Sequence, residues 1–117
     1  MAQQKIEIDM TQGHGYRVLK PTGDLDVYTV GSLRDALGTM VEDDAPKVVV
    51  ELDAVPFMDS SGLGALMGGV RRLREAGGDL AIACTREQHL KLFTITGFGE
   101  GVSIAPTVEE AAEGFRS

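Results

Sequence analysis

Lys47-Val48-Val49-Val50-Glu51-Leu52, followed after a short link by Phe57-Met58-Asp59-Ser60-Ser61-Gly62-Leu63-Gly64, is the stretch that decides the fold. Its first part is a nearly continuous β-branched run. That pattern predicts a strand buried on both faces, as parallel sheets require. Its second part places an acid and two hydroxyls before a glycine and an apolar helical stripe. Leu63, Leu66, Met67, Val70 and Leu73 recur at helical spacing, which predicts an amphipathic helix from about Ser61 to Ala76. Gly77-Gly78 supplies its left-handed stop.

Working outward, the same alternation repeats. Leu80 to Cys84 reads as another buried strand. Thr85 and Gln88 have capping-box spacing and open a helix that Gly97 closes. Val102 to Ala105 reads as a short strand. Thr107 and Glu110 then open a last helix with Val108, Ala111, Ala112 and Phe115 inward. Upstream, Val30, Leu33, Leu37, Met40 and Val41 mark a helix with Thr29 as its expected N-cap. At the N-terminus, Ile6, Ile8 and Met10 alternate with Lys5, Glu7 and Asp9, the period of a half-buried strand. A turn at Gly13-His14-Gly15 leads to a second strand over Tyr16 to Lys20. Pro21 cannot donate to a ladder, so that strand should be irregular or at an edge there. Strand and helix alternate three times in the later part, which implies parallel strands and right-handed crossovers. The expected class is α/β. One domain over residues 1–117 carries a mixed, mainly parallel sheet, an N-terminal antiparallel hairpin strand and about four helices.

Eighteen acids against eleven Lys and Arg give a formal net charge of -7 among 117 residues. That balance argues against nucleic acid, which rewards clustered cations. Arg71, Arg72 and Arg74 are followed directly by Glu75 and read as a solvated helix face. Cys84 is the only cysteine, so no intrachain disulfide forms, and it reads as a buried free thiol. Residues Met1 to Lys5 carry no apolar signal region. No apolar run approaches the roughly twenty residues of a membrane span. The expected location is the cytoplasm, away from membranes.

Asp59-Ser60-Ser61 falls at a helix start, where backbone N–H groups are unsatisfied and negative charge is favoured. The plain reading makes Asp59 or Ser60 a cap, worth about 1 kcal/mol. Two features exceed it. Three capping residues stand where one suffices. Glycines recur at Gly62, Gly64, Gly68 and Gly69, each costing roughly 1 kcal/mol inside a helix. Gly64 and Gly68 share a face, either for a docking partner or for internal packing. A second segment, Gly23-Asp24-Leu25-Asp26-Val27-Tyr28-Thr29, places two acids at a strand end, either as a turn and cap or as part of a site. His14, in a turn, and His89, on a helix, lack ligand or triad spacing. No phosphate loop, dinucleotide fingerprint or metal cluster is present. The sequence therefore assigns no catalytic residue, no metal and no cofactor.

Met58-Asp59-Ser60-Ser61-Gly62-Leu63-Gly64 resembles the signature of the anti-sigma factor antagonists of the STAS domain family, and Gly23-Asp24-Leu25-Asp26 with Thr29 resembles an earlier segment of that family. The element order agrees over nearly the whole chain; Pro21 and Asp24 are less typical details. The resemblance implies a STAS-like fold and a cycle of partner switching. The unphosphorylated antagonist binds an anti-sigma factor that is also a serine kinase, and a sigma factor is freed. Phosphorylation by that kinase, with ATP, ends the complex, and a metal-dependent Ser/Thr phosphatase restores the antagonist. The modified residue maps to Ser60. Asp26 maps to the family's acid near that site and Asp59 to the motif's own acid; with Ser61, Gly62, Gly64 and Gly68 they make up the expected partner-binding surface.

Two other readings compete. One is a STAS subunit of a transport or stress-signalling complex that is never phosphorylated. The other is a receiver-like domain phosphorylated on aspartate, with Asp59, Asp24 and Asp26 as an acidic pocket. Such a pocket normally recruits a late lysine, and nothing after Lys91 supplies one.

Overall fold

Val48, Val49 and Val50 face alternate sides of one strand, and both sides are buried. The computed structural model describes residues 6–116. Val48 and Val50 belong to a large apolar core, and Val49 to a smaller one on the opposite face. Two buried faces explain why this strand is β-branched throughout.

Five strands form one sheet in sequence order: β1 (Glu7–Gln12), β2 (Arg17–Thr22), β3 (Lys47–Glu51), β4 (Asp79–Ala83) and β5 (Ser103–Ala105). β1 and β2 pair antiparallel, and all later neighbours are parallel. Four helices connect or follow them: α1 (Val30–Met40), α2 (Ser60–Glu75), α3 (Glu87–Thr96) and α4 (Val108–Ala112). Leu33 and Leu37 of α1, Leu66 and Leu73 of α2 and Phe93 of α3 fill the large core. Ala111 and Ala112 of α4 close the other face against Val49, Ala81 and Ala83. The expected α/β class, N-terminal hairpin and four helices are all present.

Several local expectations are corrected. Met10 and Met67 are 57% and 54% exposed, so neither joins the core. β1 is an outer strand on which Ile8 is half-buried while Glu7, Asp9 and Thr11 face solvent; Lys5 lies outside the described residues. Pro21 sits in a regular pair with Ile8. The parallel ladder to β3 stops at Leu19–Val50, so β2 is open on that side where the proline lies. Thr85 does not cap α3. Its N–H and hydroxyl instead bond Asp53 at 2.6 and 3.0 Å, and Arg86 takes the cap position. Gly77 ends α2 at φ +85°, with bonds to Arg74 and Leu73 carbonyls closing the last turn.

Candidate functional site

Two connections meet at the carboxyl end of the sheet. The link from β2 to α1 lies beside the link from β3 to α2 and prolongs their parallel relation beyond the strands. Gly23 N donates to Ala54 O (3.1 Å), Leu25 N to Phe57 O (2.9 Å) and Asp59 N to Leu25 O (3.2 Å). A bridge pairs Leu25 with Met58. Both side chains are buried and anchor the links from below. Asp24–Asp26 is thereby held alongside Phe57–Asp59, at the position where α/β sheets gather their sites.

Asp59 is the N-cap of α2, and Asp26 closes the turn that leads into α1. Asp59 Oδ1 accepts from Ser61 N at 2.8 Å and Gly62 N at 3.4 Å. Asp26 Oδ1 accepts from Tyr28 N at 2.9 Å and Thr29 N at 3.2 Å. Thr29 occupies the expected N-cap position of α1, but its side chain makes no capping bond. Its buried hydroxyl accepts from Asp26 N (3.0 Å) and donates to Asp24 O (2.6 Å). Asp59 thus fixes the start of α2, and Asp26 fixes the turn before α1.

Ser60 is the first residue of α2 and is exposed. Its hydroxyl makes no hydrogen bond among the described residues. Ser61 is half-buried. Gly62 is buried, and a Cβ there would lie 2.6 Å from Met58 Cγ and 3.1 Å from Leu25 Cβ. Its glycine therefore serves close packing under the site and offers no surface of its own. Gly69 is likewise internal, facing Leu37 Cδ1 at 2.8 Å. Gly64 and Gly68 are different. A Cβ at Gly68 would meet nothing within 4 Å, and one at Gly64 only Arg34 Nη2 at 4.0 Å. The open alternatives for this pair resolve in favour of a bare outer strip.

Large apolar side chains ring the serine's end of the molecule. Val27, Tyr28 and Phe57 are 66%, 84% and 50% exposed. Met67 is also exposed and shares a helical face with Ser60, Gly64 and Gly68. Sequence reading omitted these four residues from the site. A signal exists for Val27, Tyr28 and Phe57, apolar residues next to the acids and outside any helical stripe, whereas Met67 reads as part of the α2 stripe.

The link under the serine is pinned from α3. Besides the two Thr85 bonds to Asp53, Arg86 Nε donates to Asp53 O at 2.8 Å. His89 is buried, and its Nε2 lies 2.6 Å from Val55 O, an arrangement in which the ring N–H donates. Cys84 is buried at the end of β4, and desolvation pushes its thiol pKa up from the ordinary value. Among the described residues no group of three or more His, Cys, Asp or Glu could hold a metal. No described helix is long and apolar enough to cross a membrane.

The STAS domain model matches residues 5–111. This chain belongs to the STAS domain family. The STAS domain is 35% identical over 92 residues to an anti-sigma-B factor antagonist of Staphylococcus aureus, covering 79% of this chain and 85% of that one. It is 31% identical over 104 residues to the anti-sigma-B factor antagonist of Bacillus subtilis, covering 89% and 94%. Among solved structures it is similar to the Bacillus cell fate determinant SpoIIAA in its phosphorylated form. There the TM-score is 0.69 at 26% identity, over 92% of this chain and 97% of the other. In this STAS domain the Asp26 turn before α1, the Asp59-capped start of α2 and the exposed Ser60 lie at the same end of the sheet.

Proposed function

We propose that this chain is an anti-sigma factor antagonist that acts by partner switching. Unphosphorylated, it binds an anti-sigma factor that is also a serine kinase, and a sigma factor is released. Phosphorylation of Ser60 ends the complex, and a metal-dependent Ser/Thr phosphatase reverses it. The chain is a regulator and kinase substrate with no catalytic residue of its own, acting in the cytoplasm on the single domain 1–117. Asp26, Asp59, Ser61, Gly64 and Gly68 frame the docking surface with Tyr28, Phe57 and Met67, and Gly62 holds its floor.

One observation carries this reading. An exposed serine hydroxyl without an internal partner stands at a helix start, on an open strip flanked by exposed apolar side chains. The relatives' descriptions as anti-sigma-B factor antagonists support it, as does the likeness to a structure described as phosphorylated.

The physics is simple. A phosphate adds about -1.5 to -2 charge and several acceptors. In the free chain it stays in water at the start of α2. In a packed complex it would need desolvation beside Asp26 and Asp59. A loss of about 3 kcal/mol lowers affinity roughly a hundredfold.

The test is incubation with a candidate anti-sigma kinase and ATP, followed by fragment-ion mapping and titration of the kinase. Phosphate is expected on Ser60. Ser60→Ala should bind the kinase as wild type does and never release. Ser60→Asp should bind more weakly than wild type, though less so than the phosphorylated protein. Phosphate on Ser61 alone, or equal affinity for wild type, Ser60→Asp and phosphorylated protein, would refute the switch.

A further inference from the structure

Four arginines of this acidic chain are engaged. Arg17 pairs with Asp43 at 3.0 Å and Arg74 with Asp79 at 2.9 Å. Arg86 holds Asp53 O, and Arg72 Nη2 reaches the backbone oxygen of Arg34 at 3.4 Å. The Arg34 guanidinium makes no ion pair or hydrogen bond among the described residues. It is exposed on α1, and its Nη2 is the one heavy atom beyond the α2 backbone and the adjoining residues found within 4.0 Å of where a Cβ on Gly64 would be. An unpaired arginine thus lies against the bare strip of α2, one helical turn from Ser60.

We propose that Arg34 is the intramolecular receptor for a phosphoryl group on Ser60, and that binding it draws the arginine across the Gly64 strip. This rests on the reading of Ser60 as phosphoacceptor. Residues four apart on a helix have Cβ atoms about 5–6 Å apart. Ser60 Cβ therefore lies within about 10 Å of Arg34 Nη2, with the Gly64 Cβ position as the midpoint. A phosphate extending from the hydroxyl and a long, flexible arginine side chain close that gap. Guanidinium and phosphate then pair through parallel N–H···O bonds, the geometry arginine favours. Gly64 itself carries no side chain to block that path. The released state is then steric as well as electrostatic, since the docking strip is covered by the chain's own arginine. A carboxylate at position 60 is shorter and less charged than a phosphate, so it would engage Arg34 poorly.

The test installs phosphoserine at position 60 during translation, so that no kinase is needed. The second pKa of the phosphate, ordinarily about 6, is then followed by phosphorus NMR in three proteins. These are the otherwise wild-type protein, Arg34→Gln and Arg71→Gln. Arg71 is on the same α2 face but nearly two turns beyond Gly64, and it controls for loss of one positive charge. Asp26, Asp59 and Asp35 raise the phosphate pKa alike in all three, so the differences between proteins are the readout. Arg34→Gln should raise the value by about half a unit, an effect sized for a solvent-exposed opposite charge. Arg71→Gln should leave it within about a tenth of a unit, because screening weakens charges a Debye length away. No change with Arg34→Gln, or equal rises in both variants, overturns the proposal. Kinase binding by the unphosphorylated chain tests the antagonist reading separately, so the two can fail independently.

Discussion

Glycines only two positions apart on α2 have opposite reasons to be glycine. Gly62 has no room: Leu25 and Met58 fill the space where a Cβ would go. Gly64 and Gly68 have room to spare. Alanine at position 62 should therefore destabilise the fold by about 1–3 kcal/mol through overpacking. Alanine at Gly68 should stabilise it by up to about 1 kcal/mol, from better helix propensity. Denaturant unfolding of the two variants checks both signs. Arginine at Gly68 should leave stability nearly unchanged and lower kinase affinity. Residue type alone could not separate these glycines. Spacing put Gly64 and Gly68 on one face but left open whether that face looked in or out. The same ambiguity misplaced Met67, which sits at the boundary of the helical stripe and falls on its wet side. Asp26 was legible as an acid near the site. That its carboxylate closes the turn before α1 depends on loop geometry that no short-range pattern encodes.

At the scale of elements, strand β3 and helix α2 were readable because burial on two faces and a helical stripe leave strong periodic marks. The α3 entry was not. Thr85 and Gln88 have capping-box spacing, yet Asp53, thirty-two residues earlier, accepts both Thr85 bonds. A long-range partner outcompeted the local one, and sequence spacing carries no sign of it. His89 shows the same effect. It read as an ordinary helical histidine, but it ties α3 to the link that leads into Ser60. Replacing it with leucine leaves the buried Val55 carbonyl unpaired, which should cost about 1–3 kcal/mol. His89→Gln, which keeps a donor at a similar reach, should recover part of that loss. Equal unfolding free energies for wild type and His89→Leu would remove the histidine from the structural account.

Across the whole molecule, the order of elements was legible because apolar periodicity marks each one and glycines end α2 and α3. Which face each helix covers was not, since α1, α2 and α4 have similar stripes and only the tertiary fold sorts them onto the two sides. Cys84 belongs to this scale because its environment is built from distant segments. Its folded pKa lies above the ordinary 9.0. The folded state therefore holds the thiol proton more tightly than the unfolded chain does. The resulting stability is fully present below about pH 9 and is lost as pH rises through the folded value. Cys84→Ala should flatten that alkaline fall relative to wild type in unfolding experiments run from pH 7 to 10. Identical pH slopes for the two proteins would show that the thiol stays solvated.

The sheet's outer strands have a different consequence. β5 is three residues long, and β1, the longer border, carries Glu7 and Asp9 outward. Charged residues on an open border discourage strand-to-strand growth between copies. On the proposed function, in which each copy occupies one partner, this makes the dose countable. Each molecule offers one Ser60 and one face, so the output follows the number of unmodified copies in simple proportion. Stoichiometry, with no amplification inside the chain, then sets how sharply a cell can respond.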